Sequence, residues 1–216
     1  MLDLVLPMEC GGCGAPATRW CDGCAQQLAL GPNEPRLVTA RVDPGVPIFA
    51  LGRYAGARRR AVVAVKERGR ADLVGPLSVA VAAALHRLLC WQLLEGPVTV
   101  IPAPSRRSAA RRRGGDPVAR IAAAAAAAQP GTAVAPVLRM KALTRDSVGL
   151  DSGARERNIA GRVLLRRQAR RGRTAFAGDV VLVDDVLTTG VTITESVRVL
   201  GAGGIRIAAA LVLAAA

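Results

Sequence analysis

The chain has 216 residues, of which 51% are hydrophobic, and its 30 Lys and Arg outnumber its 16 Asp and Glu to give a net charge of +14. Disorder as the dominant state is excluded by that apolar content, and the charge favours polyanionic partners without dictating a fold. Five aromatic residues, Trp20, Phe49, Tyr54, Trp91 and Phe176, are too few for a surface on which successive bases of a nucleic acid stack.

The N-terminus carries Asp3, has no Lys or Arg before Arg19 and breaks its apolar stretch at Pro7, which does not fit a secretory signal. The longest uninterrupted apolar runs, 121–128 and 207–216, fall short of the roughly 18–20 residues a spanning helix needs. The expectation is a cytoplasmic protein with no membrane span.

Cys10, Cys13, Cys21 and Cys24 form C-x2-C-x7-C-x2-C, two knuckles that each bring a pair of sulfurs into one turn. This is the pattern of a structural zinc site; two disulfides are the alternative, disfavoured in a reducing compartment. Four cysteine ligands close the coordination sphere and leave no open position for catalysis. From Gly31 to Pro47 the chain holds Pro32, Pro35, Pro44 and Pro47 without an apolar period and reads as a connector. The division is residues 1–46, a zinc-binding module with its linker, and 47–216, the larger domain.

Beyond Ile48, short apolar runs alternate with longer amphipathic or alanine-rich stretches, which predicts a parallel sheet with helices on both faces. Strands are expected over 48–51, 98–101, 133–138, 180–183 and 205–213, and helices over 58–68, 73–94, 116–129 and 191–200. Asp116 and Pro117 supply an N-cap and a first helical position, and the alanine run 122–128 predicts a buried helix. Cys90 is expected as a small buried hydrophobe. His86, on an apolar helix, receives no role, and Lys66 is read first as a cation at a helix C-terminus, with a phosphate or DNA contact as the alternative.

The sharpest motif runs from Val180 to Thr192, VVLVDDVLTTGVT: a buried strand, two adjacent acids, then a Thr/Gly loop opening a helix. Ligands of parallel sheets bind beyond the carboxyl ends of the strands. A phosphate at the start of the following helix would meet backbone N–H groups of residues 189–192 and the hydroxyls of Thr188, Thr189 and Thr192. Gly190 permits close backbone approach. Asp184 and Asp185 repel each other unless they meet hydroxyls, a metal or basic groups, and ribose hydroxyls suit them.

This stretch resembles the 5-phosphoribosyl 1-diphosphate signature of the type I phosphoribosyltransferases. The resemblance implies that Asp184 and Asp185 hold the ribose 2- and 3-hydroxyls and that Thr188, Thr189, Gly190, Val191 and Thr192 cradle the 5-phosphate. With the four cysteines, the chain resembles the ComF family, a competence-associated group of phosphoribosyltransferase-like proteins. Tyr54, Val62, Val65, Lys66 and Gly69 are similar to the family's lysine-glycine segment, Ile101 to Pro104 to its proline-rich strand end, Arg111 to Gly114 to its arginine-glycine loop, and Arg155, Arg157 and Asn158 to its later Arg/Asn segment. The chain departs from the family at Gly115, Asp116, Pro117 and Ser147, on the acceptor side.

What this implies is a type I phosphoribosyltransferase-like sheet binding 5-phosphoribosyl 1-diphosphate, and a part in DNA uptake with single-stranded DNA or a competence helicase as partner. The alternative is an active phosphoribosyltransferase of nucleotide salvage with an unidentified acceptor. Its chemistry would be displacement of pyrophosphate from C1 of the ribose, aided by Mg2+ that arrives with the diphosphate. Pro102, Ala103 and Ser105, at the end of the preceding strand, are the expected pyrophosphate contacts. Arg106 and Arg107, with Arg111, Arg112 and Arg113, offer cations for that diphosphate, for a nucleic-acid backbone, or simply for solvent. A second cluster, Arg166, Arg167, Arg170, Arg171 and Arg173, reads as nucleic-acid contact or solvated turn.

Overall fold

Alternating apolar runs and amphipathic stretches build the α/β arrangement that the sequence predicts. The computed structural model describes residues 8–105, 115–141, 161–167, 176 and 178–216. In chain order the elements are α1 (Asp22–Leu28), β1 (Arg36–Val38), β2 (Ile48–Ala50), α2 (Gly56–Arg68), a 3-10 turn (Ala71–Leu73), α3 (Val74–Cys90), β3 (Val98–Pro102), α4 (Pro117–Ala127), β4 (Thr132–Val134), β5 (Leu138–Met140), β6 (Val163–Leu165), β7 (Asp179–Leu187), α5 (Val191–Ala202) and β8 (Ala209–Ala215).

Six strands form one sheet in the order β1-β2-β8-β7-β3-β4, and β5 and β6 make a separate antiparallel pair. Every pairing in the large sheet is parallel except β1 with β2. β3 runs alongside β7 from Val98 opposite Asp179 to Pro102 opposite Val183, so both strands end at the same edge. Strand alternation sends Val181 and Val183 to the face covered by α2, α3 and α4, where they meet Val62, Leu85 and Ala122. Val180 and Leu182 face the other way, against Ile193 and Leu200 of α5 and Leu138 and Leu165 of the small hairpin. Burial on both faces explains why these strands are continuous apolar runs rather than alternating ones.

Asp116 caps α4 as its position suggests, its Oδ1 accepting from the backbone N–H of Val118 at 3.0 Å and of Ala119 at 3.4 Å, with Pro117 at the first helical position. Only one face of the alanine run is buried: Ala122, Ala125 and Ala126 are inside, while Ala123 and Ala124 are exposed. Uniform composition hid that helical period.

Several expectations are corrected. β7 does not stop at Val183 but continues through both acids to Leu187, because its hydrogen-bonded neighbour β8 runs on to Ala215. The run 133–138 divides into β4 and β5 around Pro136, which supplies no N–H to a ladder. The stretch read as a connector contains the edge strand β1, too short to show a period, which pairs antiparallel with β2. α1 and β6 are additional elements. Cys90 is exposed at the last residue of α3, its Sγ 3.5 Å from His86 Nε2. The stretch Ala71–Cys90 is long and apolar enough by length and composition to cross a membrane, although uninterrupted runs did not reveal it; more than half of its most apolar window is buried within the fold.

Candidate functional site

Two constellations carry chemistry. The first is the cysteine cluster. The chain from residue 9 folds back on itself, with the Cys10 N–H donating to Ala15 O at 2.8 Å, Gly14 N–H to Cys10 O at 2.9 Å and Gly11 N–H to Arg19 O at 3.0 Å. This hairpin presents Cys10 and Cys13. The second knuckle opens α1, with Cys21 as its N-cap residue and Cys24 in its first turn.

All four Sγ atoms lie within 4.8 Å of one another, Cys21 Sγ being 3.6 Å from Cys10 Sγ and 3.5 Å from Cys13 Sγ. A tetrahedral zinc with bonds of about 2.3 Å needs sulfurs roughly 3.8 Å apart. The donor set fits that demand, the thiols are free rather than paired as disulfides, and the cluster can hold a metal such as zinc. Burial would raise the Cys10 thiol, but hydrogen bonds from the backbone of Cys13, Cys21 and Gly12 outweigh it and bring it down to about 6. Burial pushes the Cys24 thiol up, reinforced by its hydrogen bonds to the other three thiols.

Arg70 fastens this module to the domain, its guanidinium donating to Glu9 O at 3.0 Å while pairing with Asp72 at 2.7 Å. Trp20 and Leu28 join the main core from the module side.

The second constellation stands at the carboxyl edge of the sheet. β7 delivers Asp184 and Asp185 there as consecutive strand residues, so their side chains leave on opposite faces. Asp185 is on the α2 face and meets Lys66 Nζ at 2.9 Å. α2 begins after β2 and ends beside β7, two places further along the sheet, and this crossing carries Lys66 to the acids. Burial lowers the basicity of Lys66, but the charge and hydrogen bond of Asp185, with smaller help from Asp184 and Tyr54, more than restore it.

Among the described residues Asp184 has no such partner. Burial and the charge of Asp185 raise its carboxyl to about 7, against the opposing effects of the Asp185 N–H, which donates to its Oδ1 at 2.8 Å, and of Lys66; Asp116 pushes it further up. An acid poised near neutrality can accept or donate a proton at the sheet edge.

Next comes the threonine loop. Thr188 is exposed, Thr189 and Thr192 are half-buried, and none of the three hydroxyls makes a hydrogen bond among the described residues. Gly190 has φ +89° and is the N-cap residue of α5, with no side chain capping the helix. The amides of Val191, Thr192 and Ile193 therefore open the helix without intrahelical acceptors. Glycine is required here twice over: a Cβ would strain the left-handed backbone, and it would lie 2.6 Å from Ala40 Cβ and 2.8 Å from Val42 O.

That close neighbour was not expected from sequence. The segment between β1 and β2 lies against the loop, with Val42 N–H donating to Thr189 O at 2.9 Å and Thr194 Oγ1 donating to Val42 O at 3.2 Å. On the other side stands the end of β3. Pro102 and Ala103 are buried, the Ala103 N–H donates to Val183 O at 2.8 Å, and the Ser105 N–H donates to Asp116 Oδ2 at 3.1 Å. Ser105 Oγ is buried with no hydrogen-bond partner among the described residues.

The structure thus brings Asp184, Asp185, Thr188, Thr189, Gly190, Val191, Thr192, Pro102, Ala103 and Ser105 to one edge, and adds Lys66. Arg106, Arg107, Arg111, Arg112 and Arg113 lie outside the described residues, as do Ser147, Arg155, Arg157, Asn158, Arg170, Arg171 and Arg173. Arg166 is half committed to structure, its Nε donating to Leu138 O at 3.2 Å. Reasoning from sequence placed Lys66 at a helix end but missed its pairing with Asp185, which only the path of α2 creates.

No protein-family model matches this chain, and no curated protein matches it.

Proposed function

We propose that this chain is a ComF-like protein of type I phosphoribosyltransferase architecture that binds 5-phosphoribosyl 1-diphosphate at the carboxyl edge of its sheet. The observation that carries the reading is the continuity of β7, Gly190 and α5: one strand presents two acids, and the loop that follows opens a helix with free amides and hydroxyls. A sugar phosphate has the complementary layout, an anionic group to meet helix amides and vicinal hydroxyls to meet carboxylates.

In this reading the 5-phosphate takes the amides and hydroxyls of residues 188–192. Asp184 and Asp185 take the ribose hydroxyls, with Lys66 orienting Asp185. The diphosphate then reaches Pro102, Ala103 and Ser105, at and just beyond the end of β3. Mg2+ bound with the diphosphate would neutralise charge on the leaving group. Positioning and charge complementarity are the protein's own contributions to breaking the C1–oxygen bond as an acceptor attacks C1. The zinc assigned to Cys10, Cys13, Cys21 and Cys24 is structural. A role in DNA uptake, with single-stranded DNA or a competence helicase as partner, rests on the family resemblance and on the net charge of +14.

The test is calorimetric titration of 5-phosphoribosyl 1-diphosphate with magnesium into the zinc-loaded protein and into Asp184→Asn/Asp185→Asn. Saturable binding that the double variant loses by at least about tenfold supports the donor site. A folded wild type that binds nothing overturns it.

A further inference from the structure

Two helices open at the carboxyl edge, and their first turns are finished differently. α5 starts after Gly190 with no side chain on its leading amides. α4 starts after Asp116, whose Oδ1 accepts from the N–H of Val118 at 3.0 Å and of Ala119 at 3.4 Å. One oxygen is all that an N-cap requires, and Ser or Asn supplies it about as well as Asp does. The carboxylate at position 116 therefore brings a second oxygen and a negative charge beyond the needs of the helix.

That second oxygen, Oδ2, accepts the Ser105 N–H at 3.1 Å from eleven residues earlier in the chain. Ser105 follows the end of β3, which is tied to β7 where the Ala103 N–H donates to Val183 O at 2.8 Å, one residue before Asp184. Ser105 and Asp116 are both half-buried, so their contact lies at the surface of the edge. The charge of Asp116 is felt at Asp184, whose carboxyl it helps to raise.

A carboxylate oxygen and a phosphate oxygen are acceptors of the same kind for a backbone N–H. The two ends of the site are thus in opposite conditions. At α5 the leading amides are open to an anion. At the end of β3 the Ser105 amide is already held by an anionic oxygen of the chain itself, and the charge that comes with it repels a further anion.

We propose that Asp116 is a specificity-determining residue of this site: its carboxylate occupies the Ser105 amide as an internal substitute for a ligand oxygen, so an anionic group on C1 of the ribose binds there only by displacing it. This rests on the sugar-phosphate reading above and adds which end of the ligand the chain opposes. The 5-phosphate and the ribose hydroxyls meet open partners, whereas the diphosphate meets an occupied one.

The test compares 5-phosphoribosyl 1-diphosphate with ribose 5-phosphate, which keeps the 5-phosphate and ring hydroxyls and carries a hydroxyl on C1. Each is titrated calorimetrically, with magnesium and at constant ionic strength, into the full zinc-loaded chain and into Asp116→Asn and Asp116→Ser. Both variants keep an N-cap oxygen. Asparagine has no second oxygen for Ser105 once it caps α4, and the serine hydroxyl is too short to serve both partners. Affinity for the diphosphate is expected to rise at least about fivefold in both variants, with ribose 5-phosphate unchanged within twofold. A purely structural cap would move both ligands together, and that result overturns the proposal, as does a fall in diphosphate affinity alone. Diphosphate binding by wild type that neither variant improves overturns this inference and leaves the donor site standing. Absence of saturable binding of either ligand to all three folded proteins overturns both.

Discussion

The cysteine module and the carboxyl-edge loop reach their geometry by different routes. In the module the ligands are separated by at most a short excursion, and local turns plus the first turn of α1 bring four sulfurs within 4.8 Å. At the sheet edge the acids, the serine and the lysine come from β7, the end of β3 and α2, and only the assembled sheet makes them neighbours. A local motif can be recognised from spacing alone, whereas a site assembled from distant segments announces just the part carried by one continuous stretch.

Removing the metal should break the comparison most visibly. If zinc organises the module, a chelator or Cys24→Ser, which acts on a residue 1% exposed, should lower the melting temperature by more than about 5 °C. It should also shift the fluorescence of Trp20, which packs against Cys10 and Cys24. The carboxyl-edge loop should keep its ligand affinity below the new midpoint. An unchanged melting curve after verified metal removal would contradict a structural role.

At the edge, Gly190→Ala should cost about 2–4 kcal/mol, combining left-handed backbone strain with the collision against Ala40 and Val42. Urea unfolding measures it. Loss of less than about 1 kcal/mol would mean that the 40–42 segment yields easily and does not brace the loop.

Asp184→Asn sharpens the contrast between function and stability. The folded-state carboxyl at about 7 lies above its ordinary value of 3.8, so the native state holds a proton that the unfolded chain releases between those two values. Stability from this group is therefore highest in acid and falls as pH rises from about 4 to 7. The asparagine variant should be more stable than wild type at pH 8, with the difference vanishing near pH 4, while binding of the sugar phosphate is lost. Melting curves across this range test it, and a difference independent of pH would refute the assignment.

The smallest effect belongs to Lys66→Met. With Lys66 still 39% exposed, solvent screening limits the loss of stability to about 1 kcal/mol. Ligand affinity should fall further than stability does, because Asp185 loses its orienting partner. Equal losses in both would reduce Lys66 to a helix-end cation.

Much of the fold was legible because strands buried on both faces and capped helices leave strong local marks. Val98 to Ile101, Val180 to Val183 and the Asp116-Pro117 start each coincide with an element. β1 and β6 are three residues long, too short for periodicity to register. The extension of β7 past Val183 depends on β8 lying alongside it, a long-range pairing that no local pattern carries. Of the candidate site, the continuous stretch from Asp184 to Thr192 was readable. The Lys66 pairing and the Val42 contact follow from where α2 and the β1–β2 connection travel, and single-residue chemistry does not encode those paths.

The most direct measurement is a crystal structure of the zinc-loaded protein with 5-phosphoribosyl 1-diphosphate and magnesium. The 5-phosphate is expected on the amides of Val191 and Thr192, the ribose hydroxyls on Asp184 and Asp185, and the diphosphate beside Ser105. A ligand seated elsewhere, with Lys66 still closing on Asp185 over an empty loop, would contradict it.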